Sequence, residues 1–444
     1  YLEIKPYQRD NLKKHIAAGQ ILVGPWYIQN DFFLTSGEAT IRNLLLGTTK
    51  AEEFGRCEYL GYTPDQFGLP SQLPQILNGF GIEYVVFGRG RVCSEDQGNK
   101  AEFDWSTPDG SKVLAIQMPN FYNNSQRFST DPQKSLALLQ KIKQDLAPRS
   151  STGHLLLMNG VDHLEHQENL LEILPELNYR MTKDEKVFQD SLLSYCKAVK
   201  KELKGHDSHH GELRHGGDRF ILQGTLSSRV YLKVLNVQAE KILAARLEPL
   251  CAMLLLLGFE DQYDKEFLDY LWKLLIINHP HDSICGCSCD NVHRHMEDRY
   301  MRFFELTNHL LPEKMLLLTS HIKNDACKKS DYQITVFNTS PSTRREVDEA
   351  QLDLKHEEHN RAFKLIAPDG REIPFEILDR ELTERAIRSP INLPGKILVD
   401  RYNIIFPAEV PAMGYRQYIV RPVEHEVPHA KAMNCENEHL KITV

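Results

Sequence analysis

The stretch CEYLGYTPDQFG, residues 57–68, decides the fold: a mostly apolar run over 57–60 enters a turn punctuated by Gly61, Pro64 and Gly68, with Asp65 inside it and Pro70 just beyond. An apolar run closed by such residues reads as a strand followed by a tight loop. The unit recurs. Residues 21–27, 84–87, 113–118 and 155–158 are further short apolar runs, with amphipathic helical stretches between them. Strands alternating with crossover helices predict a parallel sheet covered by helices, in which ligands bind beyond the carboxyl ends of the strands. Asp31, Asp65, Arg89 and Asp162 each lie a few residues past one of these runs, so this fold gathers them on one rim.

Downstream the pattern changes twice. Residues 230–257, 265–278 and 292–311 carry apolar residues at helical spacing and predict a helical bundle. Residues 334–338, 373–378, 402–406 and 416–420 read as strands between Pro and Gly turns, a β-sandwich or its opening part. We therefore expect a multidomain chain: a barrel-like parallel α/β domain over 1–205, a three-helix bundle over 206–322 and a β domain over 323–444.

Composition narrows the function. A net charge of −8 offers no broad basic face for phosphate backbones, which argues against nucleic acid. No apolar run reaches the length of roughly 18 residues that a membrane helix needs. Nine scattered cysteines are unlike a secreted disulfide framework, so a reducing cytoplasm is expected. Cys285, Cys287 and Cys289 alternate without the gap of a zinc knuckle, and read as small thiols buried at a tight turn rather than as a metal site. The polar tract over 205–211, with three histidines, reads as a surface loop. The opening at Tyr1 and the stop in a strand-like run over 441–444 predict a chain cut at both ends.

After the helical run over 265–278 come His279, Pro280, His281 and Asp282. Proline breaks a helix and restricts the residue before it, so His281 and Asp282 project from a stiff turn suited to holding a metal. Blander readings stand beside these: Asp65 as a turn former, Asp162 as the N-cap of a helix from Glu165, Arg89 as a solvated loop residue.

Together, Gly24-Pro25-Trp26-Tyr27, Asp31, Thr35-Ser36-Gly37-Glu38-Ala39, the 61–68 loop, Ser227-Ser228-Arg229 and His279-Pro280-His281-Asp282-Ser283-Ile284-Cys285-Gly286 resemble the α-mannosidases of glycoside hydrolase family 38, in their bacterial branch. The resemblance implies retaining cleavage of α-mannosides with one zinc ion. By motif, Asp65 matches the nucleophile and a zinc ligand, His281 a zinc ligand, and Asp162 the general acid/base. Asp31, Asp282 and Arg89 match polar groups around the sugar, and Phe67 an apolar wall. Two further zinc ligands belong to a His-x-Asp motif that no residue here matches, and are expected upstream of Tyr1. The implied partner is an α-mannoside, with homo-oligomerisation left open. Two other functions compete: a zinc-dependent amide or ester hydrolase using His281, Asp65 and His163 or His166, and a non-catalytic binding or structural module.

Overall fold

The structure, a computed structural model, describes the chain except residues 94–98, 206, 218–219, 357–361, 388, 390, 424–433, 437–440 and 444. It divides into two compact units, Tyr1–Ala244 with Lys265–Thr307, and Ala245–Asp264 with Asn308–Val444.

The first unit is built on a five-stranded sheet of β1 (Gly61–Thr63), β2 (Tyr84–Phe87), β3 (Glu102–Ser106), β4 (Lys112–Gln117) and β5 (Asp207–His210), in the order β1-β2-β4-β3-β5. β1, β2 and β4 run parallel, β3 is antiparallel to β4, and β5 is parallel to β3. The sheet is therefore mixed rather than wholly parallel. β2 is buried along its whole length. Val85 and Phe87 pack with Leu73, Leu77, Phe103 and Trp105 on one face. Tyr84 and Val86 pack with Leu114, Ile116, Cys196 and Val199 on the other, as a strand covered on both sides requires.

Two expected strands are absent, for one reason. Over 21–27 and 155–158 each segment makes a backbone bond, Glu58 N–H to the Val23 carbonyl and Ser125 N–H to the Met158 carbonyl, while asparagine side chains take other groups that a strand ladder would pair. Asn43 Oδ1 accepts from the N–H groups of Tyr27 and Ile28 at 2.9 and 3.0 Å, and its Nδ2 donates to the Ile28 carbonyl at 2.8 Å. Asn124 does the same for Met158 N–H and the Leu156 carbonyl, at 2.8 and 2.9 Å. The strand expected over 57–60 forms just beyond that run instead, at Gly61–Thr63, immediately before Pro64. The tract read as a loop contributes β5, while His206 lies outside the described residues.

Asn43 sits on a helix, Gly37–Glu53, capped by Ser36 Oγ accepting from Ala39 N–H at 3.1 Å. One turn further, Gly47 lets the Pro25–Tyr27 backbone lie directly on the helix: a Cβ there would stand 2.1 Å from the Pro25 carbonyl oxygen. These contacts fix the segment that leads to Asp31.

The long helix expected over 230–257 is two helices, Val230–Ile242 and Glu248–Leu256, joined by a π turn, Leu243–Leu247. Pro249 has no N–H to close the ladder to Ala245, so the turn widens there. In the second unit the Ala245 carbonyl accepts from Thr339 Oγ1 at 2.5 Å instead.

That unit also holds two antiparallel sheets. One orders Glu376–Ile387, Gly395–Val410 and Arg344–Lys355; the other orders Tyr332–Asn338, Gly414–Val423, Ala362–Ile366 and Glu372–Ile373. Leu352, Tyr402, Ile404 and Phe406 from the first pack with Phe363, Leu365, Tyr418 and Val420 from the second in one core, as the inner faces of a sandwich do. Among the described residues, no helix is long and apolar enough to cross a membrane.

Candidate active site

The register of the sheet builds the site. Thr63 pairs with Phe87 in the parallel β1–β2 ladder, so Asp65 and Arg89, each two residues further on, leave the same edge side by side. Arg89 Nε donates to Asp65 Oδ1 at 2.5 Å. Gly88 makes the approach feasible, since a Cβ would fall 2.2 Å from the Pro64 carbonyl oxygen. Arg89 also lies over the rings of Phe67 and Phe121, 5.8 and 4.9 Å from their centroids, and its Nη1 donates to the Phe220 carbonyl. The solvated-loop reading of Arg89 therefore fails: it is a clamped cation that leaves Asp65 Oδ2 uncommitted to it.

β4 pairs with β2 in the same sense, Gln117 beside Phe87, and the chain beyond it delivers Tyr122. The Tyr122 hydroxyl donates to Asp162 Oδ2 at 2.8 Å. Burial first, then this bond and the negative charges of Asp65 and Asp162, push the Tyr122 phenol well up, so it stays a donor. Tyr62 is raised by burial and by the same two carboxylates. Both phenols thus lie within the fields of Asp65 and Asp162, which come from separate loops. Asp162 itself is exposed, in a loop where Gly160 and His163 have φ of 157° and 63°. It caps no helix, because the next one is Leu170–Arg180.

His281 arrives from a different part of the chain. Its N–H donates to the Gln29 carbonyl at 2.9 Å, Asn30 and Pro280 form a β-bridge, and the Asp31 N–H donates to the His279 carbonyl at 3.3 Å. His281 and Asp282 begin a single helical turn, His281–Ile284, directly after Pro280. The ring is edge-on to Phe67, centroids 5.5 Å apart. Its Nδ1 lies 3.0 Å from the Gln29 carbonyl oxygen, an acceptor, so Nδ1 carries the proton and Nε2 keeps a free lone pair. That nitrogen stands 3.9 Å from Asp65 Oδ2 and 3.7 Å from Asp282 Oδ2.

Asp31 is 2% exposed beside this group. Its Oδ1 accepts from Phe33 and Leu34 N–H at 2.8 and 3.1 Å. Burial raises its pKa, and those bonds with the charges of His281 and Lys233 pull it back. His163 and His166 are both exposed. Cys285 is buried, as expected for a thiol at a tight turn, whereas Cys287 and Cys289 are exposed, contrary to that expectation, because the turn at Gly286 carries the chain back to the surface.

Sequence reasoning passes over the Gln29 carbonyl, Tyr62 and Tyr122. Tyr122 has a signal, since it follows the apolar run over 113–118 at the address shared by Asp65 and Arg89. The Gln29 carbonyl has none, because any residue supplies a carbonyl.

Behind the site, burial pushes the His279 imidazole down to about 3. Its Nε2 is 2.7 Å from Asn236 Oδ1 and 3.7 Å from a Glu240 carboxylate oxygen. The unfolded chain takes a proton on this residue below its ordinary value of about 6.5 and the folded chain does not, so stability is full above that value and declines as pH falls toward 3. Glu240, raised by burial, takes up protons in the fold and offsets part of the loss at the acid end. Urea unfolding at pH 7 and pH 5 is expected to show His279→Gln losing about 2 kcal/mol less stability between the two than the parent chain. Equal losses in both would show that His279 is not the group that titrates.

Residues 1–218 match the glycosyl hydrolases family 38 N-terminal domain, and residues 221–318 the alpha mannosidase middle domain. The chain is 32% identical over 444 residues to a putative mannosylglycerate hydrolase of Halalkalibacterium halodurans, covering 96% of this chain and 48% of that one. It is 26% identical over 350 residues to mouse alpha-mannosidase 2C1, covering 76% of this chain and 31% of that one. An alpha-mannosidase structure from Enterococcus faecalis superposes with a TM-score of 0.89 at 27% identity, over 100% of this chain and 53% of that one. The chain thus spans about half the length, or less, of these relatives.

Proposed function

Because the chain belongs to glycoside hydrolase family 38, we propose that it hydrolyses α-mannosidic bonds with retention of configuration, using Asp65 as nucleophile and Asp162 as acid and then base. The observation that supports this most is the parallel register that sets Asp65 and Arg89 side by side, with Tyr122 linking Asp162 to the same edge. Retention requires two carboxyl groups on opposite sides of one bond, one ionised and one able to give a proton. The Arg89 guanidinium orients the Asp65 carboxylate through its bond to Oδ1. Asp162, exposed at the rim, protonates the departing oxygen and later takes a proton from water. Phe67, fixed between Arg89 and His281, holds both in place from below.

A zinc ion suits the donors present: His281 offers the Nε2 lone pair, fixed by its Nδ1 bond to Gln29, and Asp65 an oxygen 3.9 Å away. Bound there, the ion would supply a Lewis acid for adjacent hydroxyls of the sugar. Asp31 and Asp282 flank His281 and serve as acceptors for those hydroxyls. On this reading His281→Ala weakens zinc affinity at least tenfold and lowers the zinc content of purified protein, measured by plasma mass spectrometry. An unchanged stoichiometry would remove His281 from the ligand set.

Small mannosides such as mannosylglycerate are the first substrates to assay, on the strength of the 32% identical relative, and aryl α-mannosides the general test. The exposed thiols of Cys287 and Cys289 favour a reducing cytoplasm as the place of action.

A further inference from the structure

We propose that Asp282, Cys285 and Cys287 form a second cation site at the rim, separate from the Asp65–His281 pair and selective for a soft divalent ion. One donor atom from each of the three lies within 4.8 Å of the others. The Sγ atoms of Cys285 and Cys287 are 3.4 Å apart, and Cys287 Sγ is 3.3 Å from Asp282 Oδ1. Two thiolates about 2.3 Å from a tetrahedral ion stand roughly 3.8 Å apart, so an ion fits after shifts of a few tenths of an ångström. Two sulfur donors select zinc, cadmium or cobalt over magnesium or calcium.

The turn that carries the donors is fixed from outside. Lys233 Nζ donates to the Cys285 carbonyl at 3.0 Å, and Ser228 Oγ and Arg229 Nε each donate to the Gly286 carbonyl at 3.3 Å. Gly286, at φ 86°, takes a conformation that brings the two thiols to one side.

Asp282 joins this site to the other one. Its Oδ1 faces Cys287 and its Oδ2 faces His281 Nε2 at 3.7 Å. An ion held by the thiolates therefore draws Asp282 away from the sugar, and would inhibit turnover if the mannosidase reading holds. Binding releases the thiol protons to solvent and forms two metal–sulfur bonds, with no change of oxidation state.

The test is titration of the full chain with Co2+ under a phosphine reductant, followed in the near ultraviolet, where cobalt–thiolate charge transfer absorbs and nitrogen or oxygen ligation does not. The band is expected in the parent chain, in His281→Ala and in Cys289→Ser, and lost in Cys287→Ser, whose side chain is exposed and whose replacement leaves the core intact. No band in the parent chain, or a band that survives Cys287→Ser, would overturn the proposal. Cd2+ is then expected to slow aryl mannoside turnover at least tenfold in the parent and to spare Cys287→Ser. A chain that shows the cobalt band but never turns over a mannoside would refute the enzyme reading and leave the cation site standing.

Discussion

Asp65→Ala is expected to reduce aryl α-mannoside turnover by about 10⁴-fold or more, since it removes the atom that forms the covalent bond in a two-step mechanism. The fold should survive. Asp65 sits in a half-buried loop beyond β1, outside the apolar clusters on either face of the sheet, and its closest ion pair is with Arg89. Loss of that partner leaves a guanidinium that still donates to the Phe220 carbonyl and still rests on Phe67 and Phe121. Cooperative thermal unfolding close to that of the parent checks this, with Asp65→Asn as a second variant that keeps an acceptor for Arg89. A fluorinated mannosyl donor should label Asp65 in the parent chain, read by peptide mass spectrometry. A labelled residue elsewhere, or hydrolysis without an adduct, would favour an enzyme that activates water at zinc and would sink Asp65 as nucleophile.

The address of Asp65 is legible in the sequence, because position relative to a strand end follows from local pattern alone. An apolar run, then Gly and Pro, puts a carboxylate at the carboxyl edge of a parallel sheet, and the register of Thr63 with Phe87 then makes Arg89 its neighbour. What pattern does not reveal is which backbone groups find a non-local partner. The runs over 21–27 and 155–158 have strand composition, yet Asn43 and Asn124 satisfy their amides from a distance in sequence. β5 is the converse case: Asp207, Ser208, His209 and His210 hide a strand because this polar edge of a mixed sheet lacks the apolar signal. The thiols escape for a related reason. Ligand spacing rules describe zinc knuckles, and the tight turn at Gly286 brings Cys285 and Cys287 together at a spacing those rules do not contain.

Asp162→Asn is expected to lower kcat/KM about 10²- to 10⁴-fold for mannosides whose leaving group needs a proton, and far less for a dinitrophenyl mannoside, whose departing oxygen needs none. The contrast isolates acid catalysis from binding, since a merely positioning role for Asp162 would slow both substrates alike. Its surroundings suit a proton donor, because it is exposed at the rim, where a departing group leaves toward solvent, and the phenol of Tyr122 fixes its orientation. With the activated substrate, the second step should become limiting, because the same carboxyl group must then deprotonate water. Azide, which needs no base, is expected to restore the rate in Asp162→Asn and to yield α-mannosyl azide, identified by nuclear magnetic resonance. The α configuration follows from two inversions, one at Asp65 and one at the azide. A β product would mean single inversion and exclude Asp65 as nucleophile. Equal losses for both substrates without azide rescue would return Asp162 to the role of a loop residue hydrogen-bonded to Tyr122.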